Sequence, residues 1–243
     1  MTHSLVVGGS KGLGRVVARQ FCERGDRVSV ISRGAPPDNP GAVDSFLADI
    51  ADESATRAAI EAALVQNGPI SYLVFCQRYR GDGDTWAGEI DVSLSASRRV
   101  VELLEDRFAK GRDAGIVFVS SVYGDRVGDG QGLSYHVGKA GMNHMARYYA
   151  VNLGRKGIRT NVVTPFTFLK EESQNFYLAN KELLGMYEDI IPLGRMATSD
   201  DSANVISFLC SASASFVNGQ TICVDGGLSL VWPETLARRL TSL

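Results

Sequence analysis

Apolar residues fall into seven short runs along the chain, at 4–9 (SLVVGG), 26–32 (DRVSVIS), 43–49 (VDSFLAD), 70–76 (ISYLVFC), 115–121 (GIVFVSS), 157–165 (GIRTNVVTP) and 220–227 (QTICVDGG). Most are near-continuous and not alternating, the pattern of strands covered on both faces in a parallel sheet. The segments between them, 12–25, 53–68, 97–111, 142–157 and 199–211, read as helices, and several stop at a glycine, the residue that most readily closes a helix. Strand and helix alternate through nearly the whole chain. That order predicts an α/β fold, a doubly wound, mostly parallel sheet flanked by helices and built from right-handed crossovers. A length of 243 residues suits one domain spanning 1–243, and no repeat, low-complexity tract or linker divides it.

One stretch breaks the alternation. Residues 166–191 (FTFLKEESQNFYLANKELLGMYEDII) are too long for an ordinary connection and carry Phe166, Phe168, Phe176, Tyr177 and Tyr187. Long insertions at the carboxyl ends of strands in open sheets tend to lie over a ligand crevice, so a substrate-covering insertion is expected here. A helical pair that simply packs on the domain is the alternative. After Pro233 the tail predicts a short helix with Leu236, Leu240 and Leu243 on one side, covering the domain or meeting another subunit.

Charge narrows the partners. There are 25 basic and 27 acidic side chains, a net −2, which excludes the broad positive field of a nucleic-acid binder and leaves small neutral ligands or a local anion site. Cys22, Cys76, Cys210 and Cys223 show neither CxxC pairs nor the spacing of a zinc site or disulfide framework. Reduced cysteines in a cytoplasmic protein without a metal are therefore expected. The N-terminus enters an apolar run without a basic region or cleavage site, and no run of eighteen apolar residues occurs, so no membrane is implicated.

The first predicted strand runs into GGSKGLGR, with Gly8, Gly12 and Gly14 around Ser10, Lys11 and Leu13. Neither familiar phosphate-binding spacing is met: Val17 stands where GxGxxG needs its third glycine, and Arg15-Val16 stand where a P-loop needs Lys and Ser or Thr. The physics survives, because a strand-to-helix turn without Cβ atoms lets backbone N–H groups approach a pyrophosphate. A plain structural turn is the competing reading. The second strand ends Ile31-Ser32-Arg33, with no acid to bind the ribose 2′-hydroxyl of NAD. Arg33 and Lys11 together suit a 2′-phosphate, which favours NADP(H) over NAD.

The reactive candidates are Tyr135 and Lys139, at i and i+4 on one helix face in LSYHVGKAGMN, with Ser121 at the end of the strand GIVFVSS. A phenol with an unperturbed pKa near ~10 is a poor acid–base group at neutral pH. An ammonium at ~4 Å, with an effective dielectric of about 20, favours phenolate by ~4 kcal/mol and brings it into range. Ser121 is placed to polarise a carbonyl beside it. His136, adjacent to Tyr135, points about 100° away and is read as structural, as are Tyr148 and Tyr149.

Taken in order, these features resemble the short-chain dehydrogenase/reductase family over nearly the whole chain: the spacing of Gly8, Gly12 and Gly14, the pair Asp49-Ile50, Ser121 in SSVYG, Tyr135 and Lys139 in YHVGK, NLGRKGIRTNVVTP at 152–165 and the closing FLCSASASFVNGQTICVDGG. Its 3-oxoacyl carrier-protein reductases and similar small carbonyl reductases look most alike. The resemblance implies a Rossmann-type sheet of seven strands, NADP(H) across its carboxyl edge and a homo-oligomer, dimer or tetramer. It implies hydride exchange between a carbonyl and a secondary alcohol, with Tyr135 as general acid–base, Lys139 lowering its pKa and holding the nicotinamide ribose, and Ser121 orienting the carbonyl. Asp49 would accept from the adenine amine and the Ile50 backbone would border the ring. Two places depart from the family. Phe75, Cys76, Gln77 and Arg78 stand where Asn-Asn-Ala-Gly is usual, and Ser93 stands seven residues after Trp86, where an asparagine's main-chain carbonyl normally holds a water leading to the lysine. Ser93 keeps that carbonyl. A further change sets Phe166 after Pro165, near the nicotinamide amide.

Two other readings stay open: a cofactor-binding regulator or structural protein with a degenerate site, and a sugar-nucleotide epimerase or dehydratase, against which the glycine spacing and short chain argue. For the substrate, Phe166, Phe168, Phe176 and Tyr177 suggest an apolar or ring-containing ligand, whereas Arg78 and Arg80 suggest an anionic one.

Overall fold

The computed structural model describes residues 1–36, 43–111 and 113–241, except for the side chains of residues 171 and 172. Its strands in chain order are β1 (His3–Val7), β2 (Arg27–Ser32), β3 (Val43–Leu47), β4 (Tyr72–Phe75), β5 (Ala114–Val119), β6 (Ile158–Pro165), β7 (Phe168–Leu169), β8 (Ala197–Thr198) and β9 (Thr221–Val224). Seven of them, one for each apolar run, form a single sheet in the order β3-β2-β1-β4-β5-β6-β9 with every neighbouring pair parallel. From β1 the chain steps outward to β2 and β3, then returns past β1 to β4 and steps the other way. The reversal opens a crevice outside the carboxyl ends of β1 and β4. Val7 and Phe75 are register partners, and the Cys76 N–H donates to the Val7 carbonyl at 2.8 Å, so the loops leaving the two strands start side by side.

The helices are α1 (Gly12–Glu23), α2 (Glu53–Asn67), α3 (Thr85–Ile90), α4 (Ala96–Leu104), α5 (Leu133–Gly154), α6 (Glu171–Ala179), α7 (Lys181–Ile190), α8 (Ser199–Leu209) and α9 (Pro233–Thr241). Successive strand side chains point to opposite faces, which is why continuous apolar runs were needed. On one face Leu5, Phe75 and Phe118 pack with Ile60 of α2, Val100 of α4 and Met142 of α5. On the other Val6, Val74 and Val117 pack with Phe21 of α1 and Ile206 of α8. The single domain is thus a three-layer sandwich whose two cores share one sheet.

Two helix boundaries differ from the sequence reading. The helix expected from residue 97 starts at Thr85, where the Asp84 carboxylate accepts the Trp86 N–H at 2.8 Å, and runs into α4 through one π-helical turn, Asp91–Ser95. Glycines 81, 83 and 88 disguise this start as loop, although Gly88 sits inside the helix. The helix expected over 142–157 begins at Leu133, which carries Tyr135 and Lys139 onto its first turns. The insertion at 166–191 becomes β7, α6 and α7; β7 pairs with β8 and ties it to the start of α8. The tail forms α9, where an Arg239 Nη1–H donates to the Asp189 carbonyl of α7 at 3.3 Å; Leu243 lies outside the described residues. Among the described residues no helix is long and apolar enough to cross a membrane.

Phe118 is fully buried and stacks on Phe75 at a centroid distance of 4.7 Å, bridging β5 and β4. Phe118→Ala should lower the unfolding free energy by about 3–5 kcal/mol, whereas Phe216→Ala, at a fully exposed position, should stay within about 0.5 kcal/mol. Urea denaturation of the two variants checks both values, and equal midpoints would mean that this stack does not hold the sheet.

Candidate active site

The glycine turn works by close approach. Gly8 (φ 79°) and Gly12 (φ 52°) occupy the left-handed region, where a side chain strains the backbone. A Cβ on Gly8 would fall 2.7 Å from the Gln77 nitrogen, and one on Gly14 would collide with the Gly8 carbonyl oxygen. No side chain caps the N-terminus of α1, and its first turn holds no acid, so its leading amides are open to an anion. From this turn a crevice of about 940 Å³ runs along the carboxyl edge of the sheet, a volume suited to a small-molecule site. Gly8, Ser10, Lys11, Gly12, Leu13 and Gly14 line one part. Ser32, Arg33, Asp49 and Ile50 line it at the ends of β2 and β3. The Ser32 hydroxyl donates to the Gly34 carbonyl at 2.8 Å, and an Asp49 carboxylate oxygen accepts the Ala51 N–H at 3.0 Å. An open helix terminus between close-packed glycines and two rim cations fits a dinucleotide with its phosphates.

Ser121, Tyr135 and Lys139 meet at the other part of the crevice. Ser121 leaves β5 in extended conformation, and its hydroxyl oxygen accepts the Tyr123 N–H at 3.2 Å. Tyr135 rises from the first turn of α5. Lys139 is almost fully buried; its ammonium donates to the Val119 carbonyl at 3.1 Å and lies 5.5 Å from the Tyr135 ring centroid. Burial pushes the Lys139 ammonium down to about 8, with a nearby carboxylate, Glu89, opposing the shift. Burial holds the Tyr135 phenol above its ordinary value, opposed by the Ser121 hydroxyl and then the Arg78 guanidinium. His136 takes the structural role expected of it. Its Nε2 accepts the Gly128 N–H at 3.0 Å and its Nδ1 donates to the Gly132 carbonyl at 2.9 Å, which closes the loop leading into α5.

Residues 7–229 match the family model described as Enoyl-(Acyl carrier protein) reductase. The 3-oxoacyl-[acyl-carrier-protein] reductase of Chlamydia muridarum is 30% identical over 247 residues, covering 93% of this chain and 96% of its own. The chain belongs to the short-chain dehydrogenase/reductase family. Aldohexose dehydrogenase of Thermoplasma acidophilum shares the fold with a TM-score of 0.85 at 24% identity, over 96% of this chain and 95% of that one. A short chain dehydrogenase of Leptospira borgpetersenii, solved with bound NAD+, does so at 0.79 and 23% identity, over 94% and 92%.

Against that family pattern, the two departures have physical substitutes. Ser93 lies in the π turn, fully buried, and its hydroxyl donates to a Glu89 carboxylate oxygen at 2.6 Å. Glu89 is itself buried, and both side chains press on Gly138 of α5, next to Lys139. Sequence reasoning missed Glu89. The signal was its i, i+4 spacing to Ser93, but an isolated glutamate reads as a solvated helix face. In the loop after β4, Gln77 is buried and its amide donates to the Ser97 hydroxyl at 2.8 Å, while Cys76 abuts Gly14. Burial pushes the Cys76 thiol up to about 12, which favours its neutral form.

The substrate candidates separate. Arg78, Arg80, Phe166, Phe168 and Tyr177 line the crevice, though Phe168 is largely buried in the core beside α8. Phe176 stands outside it, 61% exposed and edge-on to Tyr177 at 5.2 Å. Phe166 and Tyr177 both meet Tyr187, at 6.2 and 6.0 Å, which links the insertion into one aromatic cluster.

Lys139 carries a pH signature. Its folded pKa, about 8, lies below the ordinary 10.5, so between those values the unfolded chain binds more protons and this residue's contribution to stability rises with pH. The melting temperature of the native chain relative to Lys139→Met should therefore increase from about pH 7.5 to 10. Glu89→Gln, which removes the carboxylate favouring the ammonium, should move that rise to lower pH. A difference independent of pH would show that Lys139 is not held this way.

Proposed function

We propose that this oxidoreductase interconverts a carbonyl and a secondary alcohol with NADP(H), Tyr135 serving as general acid–base. The observation that carries the reading is the convergence of Ser121, Tyr135 and Lys139 on one side of the crevice whose other side is the glycine turn. Bound nicotinamide supplies or accepts the hydride; the protein contributes position and charge. In reduction the Ser121 hydroxyl orients the carbonyl oxygen, and the Tyr135 hydroxyl gives it a proton as negative charge develops; in oxidation the phenol oxygen takes that proton back. Lys139 holds the ribose and, through the buried Glu89–Ser93 pair, stays within reach of a carboxylate that favours its ammonium form. Because Glu89 and Ser93 are hydrogen-bonded and Gln77 restores a bond in the altered loop, a degenerate, purely regulatory site has less support. Tyr135→Phe should lower kcat for a ketone panel by about a hundredfold or more while the protein still binds NADPH, read by its fluorescence. Undiminished turnover in this variant would remove Tyr135 from the reaction.

The choice of NADP(H) rests on Arg33 and Lys11. Both line the crevice, Arg33 is exposed at the end of β2, and no carboxylate among the crevice-lining residues of β2 competes for a ribose hydroxyl. A charge-assisted contact to a 2′-phosphate discriminates by about tenfold or more. Arg33→Ala should accordingly raise KM for NADPH at least tenfold and leave KM for NADH nearly unchanged. A native enzyme that uses NADH better than NADPH would overturn the preference.

A further inference from the structure

We propose that the substrate carries a carboxylate close to its reacting carbon and that Arg78 binds it; this deepens the oxidoreductase reading above and rests on it. The first support is charge. Although the whole chain is net −2, the crevice is lined by Lys11, Arg33, Arg78, Arg80, Lys139 and Lys170, against Asp49 and Asp91. Asp91 is engaged by Arg99 at 3.3 Å, and Asp49 accepts a backbone N–H. Low-dielectric walls concentrate such a field inside a cleft, so the crevice selects anions more strongly than the molecule's overall charge would indicate. Lys11 and Arg33 are matched by the phosphates of a dinucleotide. Arg78 and Arg80 remain.

The second support is position. In the sheet β4 lies on the far side of β1 from β2, and strands are about 4.8 Å apart, so the start of the Arg78 loop is roughly 10 Å from the strand end that carries Arg33. The Arg78 side chain instead reaches towards α5, its guanidinium carbon 5.7 Å from the Tyr135 ring centroid. Among the described residues no carboxylate forms an ion pair with it. A carbonyl oxygen at ~2.7 Å from the phenol leaves the guanidinium within reach of a carboxylate roughly two or three bonds further along. That separation describes a 2-oxo or 3-oxo acid, or the matching hydroxy acid.

The third support is that the loop is built to hold this pose. Gln77 is buried and bonded to Ser97, and the Tyr79 ring packs on Gly88 of α3, where any Cβ would collide with it. The Tyr79 hydroxyl also closes over Gly81, whose added Cβ would come within 2.6 Å of it. Gln77 and Tyr79 thereby anchor the loop on either side of Arg78, and Arg78 and Arg80, both exposed, line the crevice beside them. The backbone that carries the guanidinium is thus held in place, and a charge-assisted, paired contact is what such a fork makes best with a carboxylate.

The test uses the full-length protein with NADPH and matched pairs: benzoylformate against its methyl ester, and 3-oxobutanoate against its methyl ester, with benzoylphosphonate as a second anion. The native enzyme should prefer each acid to its ester by at least about tenfold in kcat/KM. Arg78→Ala should collapse that ratio about tenfold or more, chiefly through KM for the acid and with KM for NADPH unaltered; Arg78→Lys should restore part of it. Equal use of acid and ester would overturn the proposal while leaving the oxidoreductase reading standing. So would an Arg78→Ala effect confined to NADPH, which assigns the cation to the cofactor, and so would a preference for the phosphonate over the carboxylate. If no carbonyl compound in the panel is reduced, the functional reading itself fails, and this inference with it.

Discussion

The site depends on one steric constraint: the turn after β1 and the loop after β4 meet with no room between them for a Cβ. Gly8 sits against the Gln77 backbone, and Gly14 sits beneath the Gly8 carbonyl and against Cys76. Two strands ending in register force this meeting, and only glycine can occupy both places. The contact leaves the first amides of α1 open at one part of the crevice and fixes the base of the β4 loop at another. An added methyl group at either glycine would disturb the anion-binding terminus and the Arg78 loop together.

Around that scaffold the protein keeps charges where water is scarce. Lys139 is buried at the cost of its proton affinity, and it persists because the Val119 carbonyl accepts its hydrogen bond and Glu89 lies nearby. Glu89 in turn is held by Ser93 in a π turn, and the Gln77 amide ties the β4 loop to Ser97 one turn beyond. The family's usual asparagines are thus replaced by two hydrogen-bonded pairs, Gln77 with Ser97 and Ser93 with Glu89.

The fold was legible in the sequence because parallel strands bury both faces: each of the seven apolar runs is a strand of the sheet. Tyr135, Lys139 and Ser121 were legible because the spacing of two and the strand-end position of the third are local properties. Glu89 was not, since its burial comes from α5 packing Gly138 against it, a contact between residues forty-nine positions apart. The start of α3 was hidden for a related reason. Gly88 weakens the helix locally and is tolerated because the Tyr79 ring, brought back by the loop, occupies the missing side chain's place.

The arginines show the same boundary. Sequence order alone put Arg78 and Arg80 at the mouth of a strand, and the composition of the chain left an anion site open without locating it. Whether a guanidinium there faces solvent, cofactor or phenol depends on which neighbours anchor Gln77 and Tyr79, and those neighbours, Ser97 of α4 and Gly88 of α3, come from other elements. The candidate reactive residues could be named from spacing because helix and strand periodicity are fixed by backbone geometry. That a second cation joins Lys139 beside the phenol could not, because Arg78 leaves a different strand, β4, and only the packing of sheet and helix brings its guanidinium to 5.7 Å from the Tyr135 ring, against 5.5 Å for the Lys139 ammonium.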